Sequence, residues 1–242
     1  MNKLLIGICL LACAGFSYGQ EEAPSDSSDL SVNIDLGIAT RNVWRGLDYG
    51  ASPSIWGDFY GTFRNISLGA MGTTTINGAK DQYGTWLELY ASYEFKNLTF
   101  VIDDYFFFNA EDQDNNYFDY GSENTQHLVE ARVEYENDKL EMLTGYVVYS
   151  NSEDDTNGVY LEATYRIIEE LSFTAGFLTN SQWLSFYDAG GITTLGINGH
   201  RKVKVFGQDV PLRASLIFNP NYENASPLVG NNPVYFVLST QF

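Results

Sequence analysis

The chain has 242 residues, of which 15% are aromatic and 18% are charged. A typical soluble domain has about 25% charged residues, and the abundant Tyr and Phe favour strands and membrane interfaces. The formal net charge of −18 excludes a nucleic-acid-binding protein, because that class needs a basic surface. The length suits one all-β domain.

The first 19 residues have the three parts of a secretory signal peptide. Lys3 supplies the positive charge, residues 4–14 form the apolar segment, and Gly19 ends a small-residue cleavage site. A start-transfer anchor and a lipoprotein signal are the alternatives, but the apolar run is too short for a membrane-spanning helix. Residues 20–29 are acidic and rich in serine, which predicts a flexible tail.

Both cysteines, Cys9 and Cys13, fall within this leader. The mature chain would therefore have no thiol, which excludes disulfides, thiolate metal sites and a cysteine nucleophile. No later stretch approaches the length of about 18 apolar residues that a membrane-spanning helix needs. Lipid admits only helices and closed barrels, so a mature chain in a membrane must be a barrel.

From Leu30 onward, apolar and polar residues alternate, which predicts half-buried strands. The strands come in pairs around tight turns at residues 64–65, 96–97, 137–138, 169–170 and 207–208. Longer polar linkers separate the pairs, at residues 47–53, 74–84, 109–124, 151–158, 180–191 and 219–232. Strict alternation of short and long connections is typical of outer-membrane barrels. Residues 30–242 are thus predicted to form an all-β, transmembrane antiparallel up-and-down β-barrel of about twelve strands, with a soluble sandwich as the alternative.

One face of each predicted strand is apolar and would contact lipid, whereas the other face carries most of the charges. A charge at the lipid midplane costs about 2–4 kcal/mol, so the charged side chains are expected to face the lumen. With nine carboxylates and five basic groups, the lumen would carry about four net negative charges and favour cations. The pore-lining candidates are Asp58, Glu88, Glu130, Arg132, Glu162, Arg166 and Arg213. A lumen plugged by Glu–Arg pairs is the alternative.

Two positions depart from this division into an apolar face and a charged face. Arg201 falls on the apolar face near the periplasmic end, where its long side chain is expected to reach the interface. Asp103 and Asp104 put one carboxylate on each face, which indicates that the strand reaches the rim or carries a bulge there.

The last strand, VYFVLSTQF, ends at Phe242. A terminal strand that ends in Phe is characteristic of outer-membrane barrels and resembles the signal read by the barrel-insertion machinery. Together with the leader and the connection lengths, it predicts a bacterial outer-membrane location with both termini in the periplasm. The expected partners are outer-membrane lipids, the insertion machinery and small solutes.

Residues 40–63, TRNVWRGLDYGASPSIWGDFYGTF, resemble the start of the TorF family of porin-like barrels. That family begins with a strand ending in an aromatic-Arg-Gly turn, followed by a proline and a Gly-aromatic strand. Trp44-Arg45-Gly46 and residues 53–61 match this outline, and residues 86–95 and Asn219-Pro220 fall where similar features are expected. The resemblance implies a barrel with a transport role and carries over no catalytic residue.

Two further patterns are weighed as sites. Asp112, Asp114 and Asn116, with Glu123 at the twelfth position, have the spacing of a calcium loop, but Tyr117 stands where the turn requires glycine. A solvated acidic loop is therefore preferred, and no metal or cofactor is predicted. Aromatic residues near strand ends predict an interfacial girdle, with a ligand-stacking mouth as the alternative. They are Trp44, Trp56, Trp86, Tyr105, Phe106, Phe107, Phe108, Tyr117, Phe118, Tyr120 and Trp183.

The only histidines are His127, at a strand mouth, and His200, nearer the periplasmic half. Neither lies in a catalytic motif, so we predict no enzymatic activity and no catalytic residue. The predicted function is passive passage or binding of small solutes through a weakly acidic lumen. A structural or adhesive barrel with a plugged lumen is the second interpretation, and an outer-membrane lipid-modifying enzyme is the third.

Overall fold

The computed structural model describes residues 29–76, 84–108, 116–121, 125–150, 158–179, 186–226 and 232–242. The expected signal peptide and nearly all of the expected tail lie outside these ranges. No helix within them is long and apolar enough to cross a membrane. The described residues form a short 3-10 helix at Tyr222–Asn224 and the strands β1 Leu30–Ala39, β2 Val43–Trp44, β3 Leu47–Asp48, β4 Ser54–Phe63, β5 Ile66–Thr75, β6 Trp86–Phe95, β7 Leu98–Phe107, β8 His127–Glu136, β9 Leu140–Tyr149, β10 Val159–Ile168, β11 Leu171–Leu178, β12 Gly191–Val205, β13 Gln208–Phe218 and β14 Val234–Gln241.

The strands β1 and β4 to β14 close into one antiparallel barrel of twelve strands. Each strand pairs with the next along the chain, which is the predicted up-and-down topology. Closure comes from β1, which pairs with β4 along its whole length and with β14 over residues 37–39. The backbone N–H of Phe242 donates to the Leu36 carbonyl at 2.8 Å, and the Leu36 N–H donates back at 3.0 Å. The all-β barrel predicted from the alternation is confirmed.

The two ends of the barrel differ in their connections. Tight turns lie at one end, at residues 64–65, 96–97, 137–139, 169–170 and 206–207. We call this the turn end, and the opposite end, with the long connections, the loop end. The last turn falls one residue earlier than predicted, because Phe206 and Gly207 adopt φ values of +50° and +86°.

The outer surface of the barrel is apolar, as the alternation predicts. Side chains such as Ile34, Leu68 and Phe236 are 59–63% exposed. Arg201 is exposed at the turn end, in agreement with its expected position. Because β7 pairs with β6 without a register shift, there is no bulge at residues 103–104. Asp103 faces the lumen, and Asp104 lies on the outer surface.

Two glycines, Gly37 and Gly69, let aromatic rings lie flat against the barrel wall. A Cβ at Gly37 would be 2.2 Å from the Trp56 ring, and one at Gly69 would be 2.3 Å from the Tyr90 ring. In each case the ring covers the glycine of the paired strand, an arrangement that compensates for the missing side chain. The rings therefore run along the wall and leave the middle of the lumen to other residues.

Candidate functional site

The connection between β1 and β4 folds back into the barrel. Strands β2 and β3 pair as a hairpin, which we call the lumen hairpin (residues 42–49), with Arg45 and Gly46 at its turn. Gly46 has φ +84°, and a Cβ there would lie 2.0 Å from the Thr193 carbonyl oxygen, so only glycine fits. Leu47 is fully buried. The prediction of an outer loop beginning at Leu47 is therefore wrong, because this segment buries its apolar side chains inside the barrel.

Arg45 attaches the hairpin to the opposite wall. Its Nη2 donates to both carboxylate oxygens of Glu130 on β8, each at 2.7 Å, and the two side chains are 2% and 0% exposed. The guanidinium also lies over the Trp44 and Tyr160 rings, 4.2 and 4.4 Å from their centroids. Cation–π contacts of this kind are strongest where the cation is desolvated. Glu130, one of the predicted pore-lining residues, is the anchor of the hairpin.

Gly145 on β9 makes room for this ion pair. It pairs with Arg132, beside Glu130 on β8. A Cβ at position 145 would lie 2.3 Å from Glu130 Oε1 and 3.2 Å from Arg45 Nη2. Any larger residue would push the carboxylate away from the guanidinium.

The backbone of the hairpin turn is held by two polar side chains from the second half of the chain. The Tyr187 hydroxyl donates to the Arg45 carbonyl at 3.1 Å. Asn219 Nδ2 donates to the Gly46 carbonyl at 3.0 Å and to the Tyr187 hydroxyl oxygen at 2.9 Å. Burial raises the pKa of Tyr187 more than the Asn219 hydrogen bond lowers it, so the phenol keeps the proton that it donates. Both turn carbonyls are thus satisfied inside the barrel.

Apolar side chains fill the lumen around the hairpin near the loop end. The cluster comprises Leu47, Tyr49, Trp86, Tyr105, Phe107, Leu128, Val147, Tyr160, Leu178, Phe186, Tyr187 and Ala225. Its members come from the hairpin, from the loop ends of several strands and from later connections. The described residues therefore pack this end of the barrel as a core.

Two cavities flank the hairpin below this core. The smaller, of about 460 Å³, is lined by β4 to β8 and includes Asp58, Glu88 and Tyr90. The larger, of about 670 Å³, is lined mainly by β9 to β14 and includes Glu162 and Arg213. Both volumes are in the range of small-molecule sites. The hairpin residues 42–44 line both cavities and form the partition between them.

The predicted pore-lining residues are divided by this partition. Asp58, Glu88 and Arg132 line the smaller cavity, and Glu162 and Arg213 line the larger one. Arg166 lies near the turn end, where Nη2 donates to Glu141 at 2.9 Å. With Glu130 bonded to Arg45, the seven candidates do not form one continuous ring.

Charge is also divided between the walls. Carboxylates concentrate on β1 and β4 to β8, at Asp35, Asp58, Glu88, Asp103, Glu130 and Glu134. The wall of β12 and β13 carries His200, Lys202 and Arg213 beside the larger cavity. Across β11 to β13, uncharged groups form a ladder: Ser215 Oγ donates to Asn198 Oδ1 at 2.7 Å, and Asn198 Nδ2 donates to Thr174 at 3.0 Å. Glu141 and Glu162 line the larger cavity as well, and the weakly acidic lumen stays a prediction.

The predicted aromatic girdle is divided between the inside and the outside of the barrel. Inside, the smaller cavity is lined by Trp44, Trp56, Trp86, Tyr105 and Phe107. The cluster on the outer surface around His127 contains Phe106, Phe108, Tyr117, Phe118 and Tyr120. Trp183 lies outside the described residues.

His127 belongs to a polar cluster on the outer surface near the loop end. Its Nδ1 is 2.7 Å from Asp104 Oδ1, and its Nε2 contacts the Tyr117 carbonyl oxygen. The hydroxyls of Tyr117 and Tyr120 both donate to Asp104, and the Tyr120 ring stacks on the imidazole with centroids 3.9 Å apart. In the described part of the chain, both ring nitrogens are thus taken by structural contacts rather than by a hydroxyl nucleophile. Sequence spacing could not have revealed the contact between His127 and Asp104, since 23 positions separate the two residues.

The loop that was weighed as a calcium site and interpreted as a solvated acidic loop has Asp112, Asp114 and Glu123 outside the described residues. Among the residues that are described, no group of three or more His, Cys, Asp or Glu side chains is arranged to hold a metal ion. Comparison of the chain with protein-family models and with curated proteins finds no match.

Proposed function

We propose that this chain is an outer-membrane, porin-like barrel that admits small solutes to its lumen and restricts their passage with the lumen hairpin. The observation that carries the proposal is the pair of cavities, of about 460 and 670 Å³, on either side of the hairpin in a closed barrel. Polar side chains line both cavities, as a solute-accessible lumen requires. The resemblance of residues 40–63 to the TorF family points in the same direction.

The outer surface supports a membrane location. Exposed Leu, Ile, Val and Phe side chains cover it, and such a surface would drive a soluble protein to aggregate. The tight turns lie at the same end of the barrel as the start of β1 and the end of β14. Short turns of outer-membrane barrels face the periplasm, so this end would lie there. Solutes would then enter the larger cavity from the periplasmic side, where Lys202 and Gln241 line it.

Conductance in planar bilayers tests the proposal. We expect the wild-type protein to give small single-channel steps, and Arg45→Ala to give larger ones, because the released hairpin no longer partitions the lumen. Arg64→Ala is the control: Arg64 pairs with Asp29 at the turn end, with the two side chains 67% and 49% exposed. Absence of conductance from folded wild type and folded Arg45→Ala alike would contradict a pore.

A structural barrel with a plugged lumen is the second candidate, and the apolar cluster at the loop end favours it. In that case the wild-type barrel is silent and only Arg45→Ala conducts. The expectation of no enzymatic activity stays a prediction; turnover of phospholipid that is lost in His127→Ala or His200→Ala would overturn it.

A further inference from the structure

Two of the carboxylates beside the smaller cavity are already neutralised. Glu130 pairs with Arg45 at 2.7 Å, and Asp103 accepts from Arg132 Nη2 at 3.0 Å. Arg132 also lies 3.4 Å from Glu134. Both arginines thus have carboxylate partners in this group, and Arg132 also donates from Nη1 to the Tyr105 hydroxyl at 3.2 Å.

Asp35, Asp58 and Glu88 form a second acidic group with a different environment. Asp35 is directly opposite Asp58 in the β1–β4 register. Asp58 is opposite Met71, which is opposite Glu88. The three thus lie in one row across neighbouring strands about 4.8 Å apart. In the described ranges, no Lys or Arg nitrogen lies within 4.0 Å of their carboxylates.

Asp58 and Glu88 both line the cavity, and the row is fixed in place. The Tyr90 hydroxyl lies 3.1 and 3.0 Å from the two carboxylate oxygens of Asp58, to which it donates. Tyr90 in turn rests on Gly69, so its ring has little room to move. Glu88 is only 5% exposed, and its carboxyl group shares a hydrogen bond with Asp103 on β7. A cation that entered the cavity would interact strongly with these acidic groups, because the surrounding dielectric is low.

The rest of the cavity wall is aromatic. Trp44, Trp56 and Tyr105 contribute rings to it, and so does Trp86, whose buried Nε1 has no hydrogen-bond partner among the described residues. Aromatic faces attract cations and also pack against flat apolar groups. The wall thus combines two carboxyl groups that have no Lys or Arg partner in the described ranges, several ring faces and one unused N–H donor.

We propose that the smaller cavity binds organic ammonium ions that carry an aromatic or flat apolar group. The ammonium would lie between Asp58 and Glu88, and the apolar group would lie against the tryptophans. A neutral sugar would bring no positive charge to Asp58 and Glu88, and an anion would be repelled by them. The inference rests on the proposed function only in that the ligand must reach the cavity through the lumen.

Calorimetric titration of the folded protein in an uncharged detergent tests this binding. The probes are phenethylammonium, 2-phenylethanol and phenylacetate, which share one ring and differ in charge. We expect phenethylammonium to bind at least about tenfold more tightly than either analogue, and more weakly as salt is added. Equal affinities for the three probes, or no salt dependence, would overturn the proposal.

Two variants locate the site. Asp58→Asn and Glu88→Gln keep the side-chain shapes, and each is expected to weaken phenethylammonium binding by about tenfold or more. Glu162→Gln is the matched control, because Glu162 lines the other cavity, and it should leave affinity unchanged. Unchanged affinity in both cavity variants would place the ligand elsewhere and overturn the proposal.

Two further measurements complete the test. Methylammonium must compete at least about tenfold less well than phenethylammonium, since equal competition would contradict the role of the rings. The salt dependence of wild type remains informative if a variant does not fold. Binding without conductance would refute the pore while sustaining this site, and conductance without binding would do the reverse.

Discussion

Arg45 and Glu130 are 85 positions apart in the sequence and form a buried ion pair, with Nη2 at 2.7 Å from both carboxylate oxygens. The pair joins the turn of the lumen hairpin to the middle of the acidic wall. Glu130 is thereby removed from the solvent-facing charges of the lumen. Because one partner belongs to a connection and the other to the wall, the contact determines where the hairpin lies.

Removing one partner of this pair should destabilise the barrel by about 3–5 kcal/mol, because the other charge is left buried and unpaired. We expect Arg45→Ala and Glu130→Ala to show this loss in the free energy of unfolding, measured in detergent by urea titration. The double variant Arg45→Met/Glu130→Leu should lose much less. Arg64→Ala removes an exposed pair and should cost less than about 1 kcal/mol. Equal losses for the single and double variants would refute the assignment.

Gly145 should be intolerant of any side chain. We expect Gly145→Val to lower stability and to raise conductance as Arg45→Ala does, because a Cβ would lie 2.3 Å from Glu130 Oε1. Gly72→Val is the control, since a Cβ at Gly72 would have nothing within 4 Å. A Gly145→Val protein with wild-type conductance and stability would show that the ion pair tolerates displacement.

Asn219→Ala removes three hydrogen bonds, including the one that Oδ1 accepts from the Asn221 N–H at 2.9 Å, and leaves the Gly46 carbonyl buried without this donor. Each buried group left unsatisfied costs about 1–3 kcal/mol. We expect a loss of this size in the free energy of unfolding. Asn65→Ala, at an exposed turn where Nδ2 donates to the Glu94 carbonyl, should have a smaller effect. Similar effects of the two substitutions would argue against a role for Asn219 in fixing the hairpin.

Asp104→Ala should release the segment that covers His127. The carboxylate accepts from Tyr117 at 2.8 Å and from Tyr120 at 2.7 Å, so its loss removes both attachments. Limited proteolysis with chymotrypsin should then cut within residues 116–121 faster than in wild type. Glu170→Ala, at an exposed turn, should leave the rate unchanged. Continued resistance of the Asp104 variant would mean that ring packing alone holds the segment.

Phe242→Ala should separate barrel stability from membrane insertion. Phe242 closes the sheet through backbone hydrogen bonds to Leu36, and its side chain is 60% exposed. We therefore expect normal refolding in detergent, seen as heat-modifiable gel mobility, but less protein in the outer membrane of cells. Phe206→Ala, which removes a fully exposed ring at a turn, is the control. Normal cellular insertion of the Phe242 variant would contradict the insertion-signal prediction.

The wall of the barrel was predictable because its signals are local. Alternation with period two identifies the strands from Leu30 onward, and short polar pairs such as Arg64-Asn65 mark the turns. Each strand then pairs with its neighbour in sequence, so the topology follows directly. Which carboxylates face inward was also predictable from the same period, as Asp58 and Glu88 show.

The contents of the lumen were not predictable in this way. Arg45 finds its partners 85 and 142 positions away, at Glu130 and Tyr187, and no local pattern encodes such contacts. One sequence signal did exist: the segment VWRGLDY is apolar and aromatic, whereas an outer loop should be polar. That composition indicates a segment removed from water, but not the direction in which it folds.

The partners of the lumen hairpin also order the events of folding. Residues 42–49 precede the groups that hold the hairpin turn, which lie on β8, on β10 and in the connections that contain Tyr187 and Asn219. The hairpin therefore cannot reach its final position until the second half of the chain has assembled. Contacts of such long sequence separation form slowly. Assembly of the wall and filling of the interior are thus successive steps, and the first part of the chain to be made is among the last to become fixed.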